Sequence, residues 1–166
     1  MRAKLVELWR YRELIMNLTV RDLKARYKNS VLGIGWSLFN PLLMMLVFTL
    51  VYSVMLGQNN RHDYPAFILS GLLPWNFFSA SIMGSTGAIV GNSHLIKKVY
   101  FPREVLPMSI LFSNLVNFLI AIPVYVVLAA LLGNQLTLWV LWLPVIVLVQ
   151  MIFALGVSFI LSAVNA

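Results

Sequence analysis

Three long stretches, 29–60, 64–96 and 105–166, contain no Asp, Glu, Lys or Arg, and they constrain this chain more than any other feature of it. A hydrocarbon layer about 30 Å thick is crossed by about 20 apolar residues in a helix. The stretches therefore hold one, one and two crossings. With 61% hydrophobic and 10% charged residues, the chain lies outside the range of soluble domains. The expected fold is an all-α integral membrane protein: an N-terminal amphipathic interface helix followed by four transmembrane helices. Residues 1–28 form a cytoplasmic amphipathic and basic segment. Residues 29–166 form the transmembrane domain, with spans over 36–57, 66–96, 105–132 and 139–165 and a cytoplasmic loop at 97–104.

The net charge of +7 reads as orientation, because a nucleic-acid surface gathers its charge on a folded polar face. Here Arg2, Lys4, Arg10, Arg12, Arg21, Lys24, Arg26 and Lys28 precede the first span, while Lys97, Lys98 and Arg103 separate the second from the third. Basic residues stay on the cytoplasmic side. The N-terminus and the 97–104 loop are thus expected inside, and the 57–65 loop and the Gly133-Asn134-Gln135 turn outside. The first apolar run begins too far along and is too long for a cleavable signal, so the first span is expected to direct insertion itself.

Leu5, Leu8, Tyr11, Ile15 and Leu18 recur at helical spacing on one face. Such a helix suits the membrane interface, and equally a protein surface packed against it. Thr19-Val20-Arg21-Asp22 fits a capping pattern, which predicts a second short helix with Asp22 and Arg26 paired on its surface. Dense charge then gives way to apolar sequence across RDLKARYKNSVLGIGWSLFNP, residues 21–41. Trp36 lies at the membrane boundary, and Asn40-Pro41 predicts a kink or a helix start.

The second span carries Gly71 and Pro74, which predict a broken entrance before Trp75. Ala80, Gly84 and Ala88, and likewise Gly87 and Gly91, repeat every fourth residue, a spacing that lets helices approach closely. In the third span, Ser109, Ser113, Asn114 and Asn117 are read as bridges between helices in preference to the lining of a hydrated route. Pro123 is expected to kink this span, and Gln150 is the one strongly polar side chain of the fourth. Between the second and third spans, IKKVYFPREVLP combines basic residues, aromatics and prolines, more than a turn needs for topology alone. A docking surface is the favoured reading of it.

No cysteine is present, which removes disulfides and thiolate sites. His62 and His94 stand at opposite faces, so no metal site is expected. Without a charged residue in any span, proton relays and ion-driven carriage are disfavoured. No GxxxxGK[ST] pattern occurs, and no catalytic constellation is visible. Any energy source is expected in a partner.

The block RDLKARYKNSVLGIGWSLFNPLL, followed by FILSGLLPWNFFSASI and LIKKVYFPREVLP, resembles in that order the permease subunits of type-2 ABC exporters for O-antigen, capsular polysaccharide or teichoic acid. That resemblance implies a six-span permease, two spans longer than the sequence to Ala166. It also implies a second copy of the chain, two copies of a nucleotide-binding ATPase subunit that carry ATP and Mg, and a lipid-linked glycan as substrate in the bacterial inner membrane. No cofactor is expected on this chain. Lys97, Lys98, Val99, Tyr100, Phe101, Pro102, Arg103 and Glu104 would include the ATPase-coupling element, with Tyr100 and Phe101 as anchors. Arg21, Lys24, Arg26 and Lys28, with Trp36, would line the cytoplasmic entrance and meet a carrier diphosphate or lipid headgroups. Tyr52, Trp75, Phe77, Phe78 and Tyr125 are candidates for stacking on sugars, although lipid contact or helix packing would serve each of them. Alternative readings are a drug or smaller lipid as cargo, an enzyme of lipid-linked sugar metabolism, and a scaffold for glycan assembly.

Overall fold

The computed structural model describes residues 8–28, 35–55, 64–92, 101–133 and 142–165. Among them the regular elements are all helices: α1 (Arg12–Tyr27), α2 (Gly35–Met55), α3 (Tyr64–Thr86), α4 (Ala88–Gly91), α5 (Val105–Leu131) and α6 (Leu143–Val164). Three of these, α3, α5 and α6, are long and apolar enough to cross a membrane, and α2 carries the apolar stretch Phe39–Ser53. Helices that are apolar all round belong in lipid or in a large core. Most of their side chains face outward here, among them Ile146, Val149 and Phe153 on α6 and Leu46 and Val47 on α2.

Helix α3 is the central element, packed against α2, α5 and α6. Leu69, Leu73 and Phe77 of α3 meet Leu111, Phe118 and Ala121 of α5 and Ala154 of α6 in one buried cluster. The face that α6 buries consists of Ala154, Ser158 and Ser162, spaced four apart. Two hydrogen bonds tie α6 to α3: Gln150 Nε2 donates to the Pro74 carbonyl at 2.7 Å, and Asn165 Nδ2 to the Thr86 carbonyl at 2.8 Å. Both helices advance between these contacts, so they run the same way. By the same logic Ser85 lies at Pro107 and Phe77 at Phe118, which makes α3 and α5 antiparallel. Tyr52 against Tyr64, 4.8 Å between rings, joins the end of α2 to the start of α3.

A second cluster holds α1 to the bundle: Ile15 and Leu18 pack with Ala88, Phe101, Val105 and Leu106, and Leu8 and Tyr11 cover its edge. The amphipathic face therefore packs against the chain's own α5. Its opposite side stays open, with Trp9 70% exposed and the Arg12 guanidinium 5.6 Å from the Trp9 ring.

Several expectations are corrected. The helix does not restart at Thr19, because its hydroxyl donates to the Ile15 carbonyl at 2.8 Å and approaches the Ser109 carbonyl at 3.3 Å. A threonine bonded back one turn sits inside a helix instead of capping one. Asp22 pairs with Arg21 at 2.9 Å, and Arg26 turns to α5 instead. Helix α3 runs unbroken through Gly71 and Pro74. Pro74 withholds one backbone donor, but a helix flanked by three others is the arrangement that satisfies the remaining backbone within lipid. This helix also stops at Thr86, short of the expected Ile96, and a single turn follows that the Asn92 side chain closes on the Ala88 carbonyl at 2.9 Å. Pro41 lies within α2, which starts at Gly35. Of the small residues, Gly84 and Ala88 pack closely, while a Cβ at Gly87 or Gly91 would meet nothing within 4 Å.

Candidate functional site

Where α1 ends, its last turn enters the groove between α2, α3 and α5 and closes a cavity of about 390 Å³. Thr19 at Ser109 and Tyr27 at Asn117 mark an advance of eight residues on both α1 and α5, with Arg26 at Asn114 between them. At 1.5 Å per residue the two helices thus run side by side in one direction. This placement carries a guanidinium and a phenol to the middle of a membrane-spanning helix.

The Arg26 guanidinium donates to Asn114 Oδ1 at 3.1 Å, and the Tyr27 hydroxyl donates to Asn117 Oδ1. The first bond settles how the Asn114 amide faces, because a guanidinium has no acceptor and must meet an oxygen. Both amide nitrogens are left buried without an acceptor. Asn40 of α2 and Asn76 and Ser79 of α3 add further polar lining, although the Ser79 hydroxyl is taken by the Trp75 carbonyl at 2.9 Å. The apolar wall includes Phe77 and Phe118, stacked at 5.5 Å. No carboxylate lines the cavity among the described residues. The site is thus rich in donors, carries one positive charge and is partly enclosed by apolar side chains.

The basic residues singled out from the sequence divide. Arg26 lines the cavity. Arg21 is held by Asp22 and by Asn92 Oδ1 at 3.2 Å, tying α1 to the turn after α3. Lys24 and Lys28 are exposed. The Trp36 side chain lies outside the described residues.

In the connecting loop, Lys97, Lys98, Val99 and Tyr100 lie outside the described residues. Phe101 is 8% exposed, inserted among Ile15, Leu18, Ala88, Val105 and Leu106. Within the chain, α1 folds over the ring. Arg103 is exposed, and Pro102 and Glu104 are half-buried. The Pro102 and Arg103 carbonyls accept from the Val105 and Leu106 amides at 3.1 and 3.2 Å, forming the turn that opens α5.

The five aromatic candidates do not share a surface. Phe77, 3% exposed, belongs to the core and to the cavity wall. Phe78 stacks on Phe153 of α6 at 5.6 Å, and Trp75, 62% exposed, stands 6.3 Å from Phe78. Tyr52 sits against Tyr64, and Tyr125 packs on the core. A continuous stacking track is absent among them. His62 and His94 lie outside the described residues, and no metal-binding group of side chains occurs among those described.

Asn114 and Asn117 do bridge helices, as their type suggests, but the partner is α1. No motif in the sequence marks Tyr27; its one signal is a phenol adjoining Arg26 at the end of a basic helix.

Residues 13–166 match the family model for the ABC-2 type transporter. The chain is 43% identical to the O-antigen export system permease protein RfbA of Myxococcus xanthus over 96% of its length, and 38% identical to that of Klebsiella pneumoniae over 92%. It is 27% identical to the polysialic acid transport protein KpsM of Escherichia coli over 67%. Against the two RfbA proteins it spans 61% and 59% of the relative's length. With its apolar helices, this match makes it a multi-pass membrane protein: the chain belongs to the ABC-2 type transporter membrane family.

Proposed function

We propose that this chain is part of the permease subunit of an ATP-driven exporter that moves a lipid-linked polysaccharide across the bacterial inner membrane. The observation that carries the reading is the similarity to O-antigen export permeases along nearly the whole chain. The residues agree with it: no span holds a charge suited to ion coupling, and the sequence offers no nucleotide site. Energy then comes from two copies of a separate ATPase subunit that bind ATP and Mg, engaged by a pair of permease chains. The basic N-terminal segment and the 97–104 loop face the cytoplasm, where that ATPase works. Lys97, Lys98, Tyr100 and Arg103 would form the contact, while Phe101 packs beneath α1.

The test is a deletion strain complemented with the full-length permease and its ATPase. Surface polysaccharide should return with the wild type. It should fail to return, with ATP hydrolysis retained, when Tyr100 and Arg103 are both replaced by alanine. Unchanged surface polysaccharide in the deletion strain would overturn the choice of cargo, and full export by the double variant would overturn the coupling role.

A further inference from the structure

We propose that the cavity closed by the end of α1 is a binding site for a phosphate group carried on a lipid, held by Arg26 and by the amides of Asn114 and Asn117. The argument starts from the hydrogen bonds. Arg26 and Tyr27 occupy the two asparagine oxygens, which leaves Asn114 Nδ2 and Asn117 Nδ2 buried with nothing to donate to. Asn114 is 3% exposed and lines the cavity, so its acceptor has to come from whatever fills that cavity. An unmet buried donor is costly, and two on adjacent turns beside a guanidinium describe a place short of acceptors. A phosphate oxygen accepts hydrogen bonds and carries the charge that Arg26 complements. A sugar hydroxyl accepts as well as donates but carries no charge to complement Arg26. The terminal torsion of asparagine is broad, so a small rotation aims each amide at an oxygen while the guanidinium offers its remaining N–H groups. Among the described residues the lining holds no carboxylate to repel an anion.

Two sources share this chemistry, the diphosphate of a glycan carrier and the phosphate of a membrane lipid headgroup. The first rests on the export reading; the oxyanion site does not. The experiment uses the full-length permease in phosphatidylcholine nanodiscs, probed with a fluorescent polyprenyl diphosphate, with inorganic pyrophosphate as competitor and with phosphatidic acid in parallel. Asn114→Asp together with Asn117→Asp keeps side-chain size while replacing donors by acceptors, and should weaken polyprenyl diphosphate binding at least about tenfold. Arg26→Gln should do the same, and pyrophosphate should displace the probe from the wild type. Should the double variant fail to elute as a single species, Arg26→Gln, at an exposed position, decides. Binding of both lipids within about twofold of wild type in the variants overturns the site. If the wild type binds phosphatidic acid but not polyprenyl diphosphate, and the variants lose the former, the phosphate site stands and the export reading fails.

Discussion

Gly84 and Phe101 show how much a single position can decide here. A Cβ on Gly84 would lie 2.8 Å from Ile110 Cγ2, closer than such atoms approach, and the obstacle is a branched side chain on the neighbouring helix. Gly84→Ala should lower stability by about 1–3 kcal/mol, the usual range for overpacking, read from thermal unfolding in detergent. Ile110→Ala removes the obstructing methyl, so the double variant should be more stable than the two single losses summed. Simple additivity would show that α3 and α5 do not meet there. Phe101 poses the opposite case. As the plug of the cluster beneath α1, its replacement by alanine should cost about 3–5 kcal/mol in the permease alone. A residue reserved for a partner would leave the isolated permease as stable as before and only weaken assembly.

Helix α1 is the element whose position the sequence conveyed least. Its apolar face was legible from the spacing of Leu8, Tyr11, Ile15 and Leu18, because burial of one stripe leaves a periodic trace whatever covers it. What covers it was not legible, since hydropathy reports how strongly a segment avoids water and names no neighbour. Thr19 carries the same ambiguity: a threonine before a charged turn caps a helix in water but bonds back one turn when packed against α5. Pro74 misled for a related reason, because the tolerance of a proline depends on the three helices around α3 and not on its own sequence. The side-by-side course of α1 and α5 yields a direct test. Residues 1–166 contain no cysteine, so Thr19→Cys with Ser109→Cys gives a pair with no other thiol among them for a short bismaleimide. The product should keep both halves together after cleavage at a protease site inserted between residues 57 and 63. Efficient linkage with cysteine placed at Tyr125 instead of Ser109, and none at Ser109, would contradict the parallel arrangement.

For the molecule as a whole, the contacts between helices fix which ends lie together before any membrane side is assigned. Thr19 meets Ser109, Ser85 meets Pro107 and Asn165 meets Thr86, so α1, the start of α5 and the ends of α3 and α6 gather at one end of the bundle. The junction of α2 with α3, marked by Tyr52 and Tyr64, lies at the other, as does Gly133 just past the 27-residue α5. At about 1.5 Å per residue that helix is roughly 40 Å long, enough to separate its ends by the full hydrocarbon thickness. Single cysteines at Glu13 and Arg103 should therefore react with a maleimide from the same side of the membrane, and one at Gly133 from the opposite side. Arg10, Arg12, Arg21 and Arg103 belong to the first end, which the retention of basic residues assigns to the cytoplasm, while Arg26 reaches Asn114 farther along α5. In intact spheroplasts a membrane-impermeant maleimide should accordingly label Gly133→Cys alone, and the other two only after permeabilisation. Labelling of Arg103→Cys without permeabilisation would invert the molecule, and with it the side from which an ATPase and a lipid-borne phosphate reach α1.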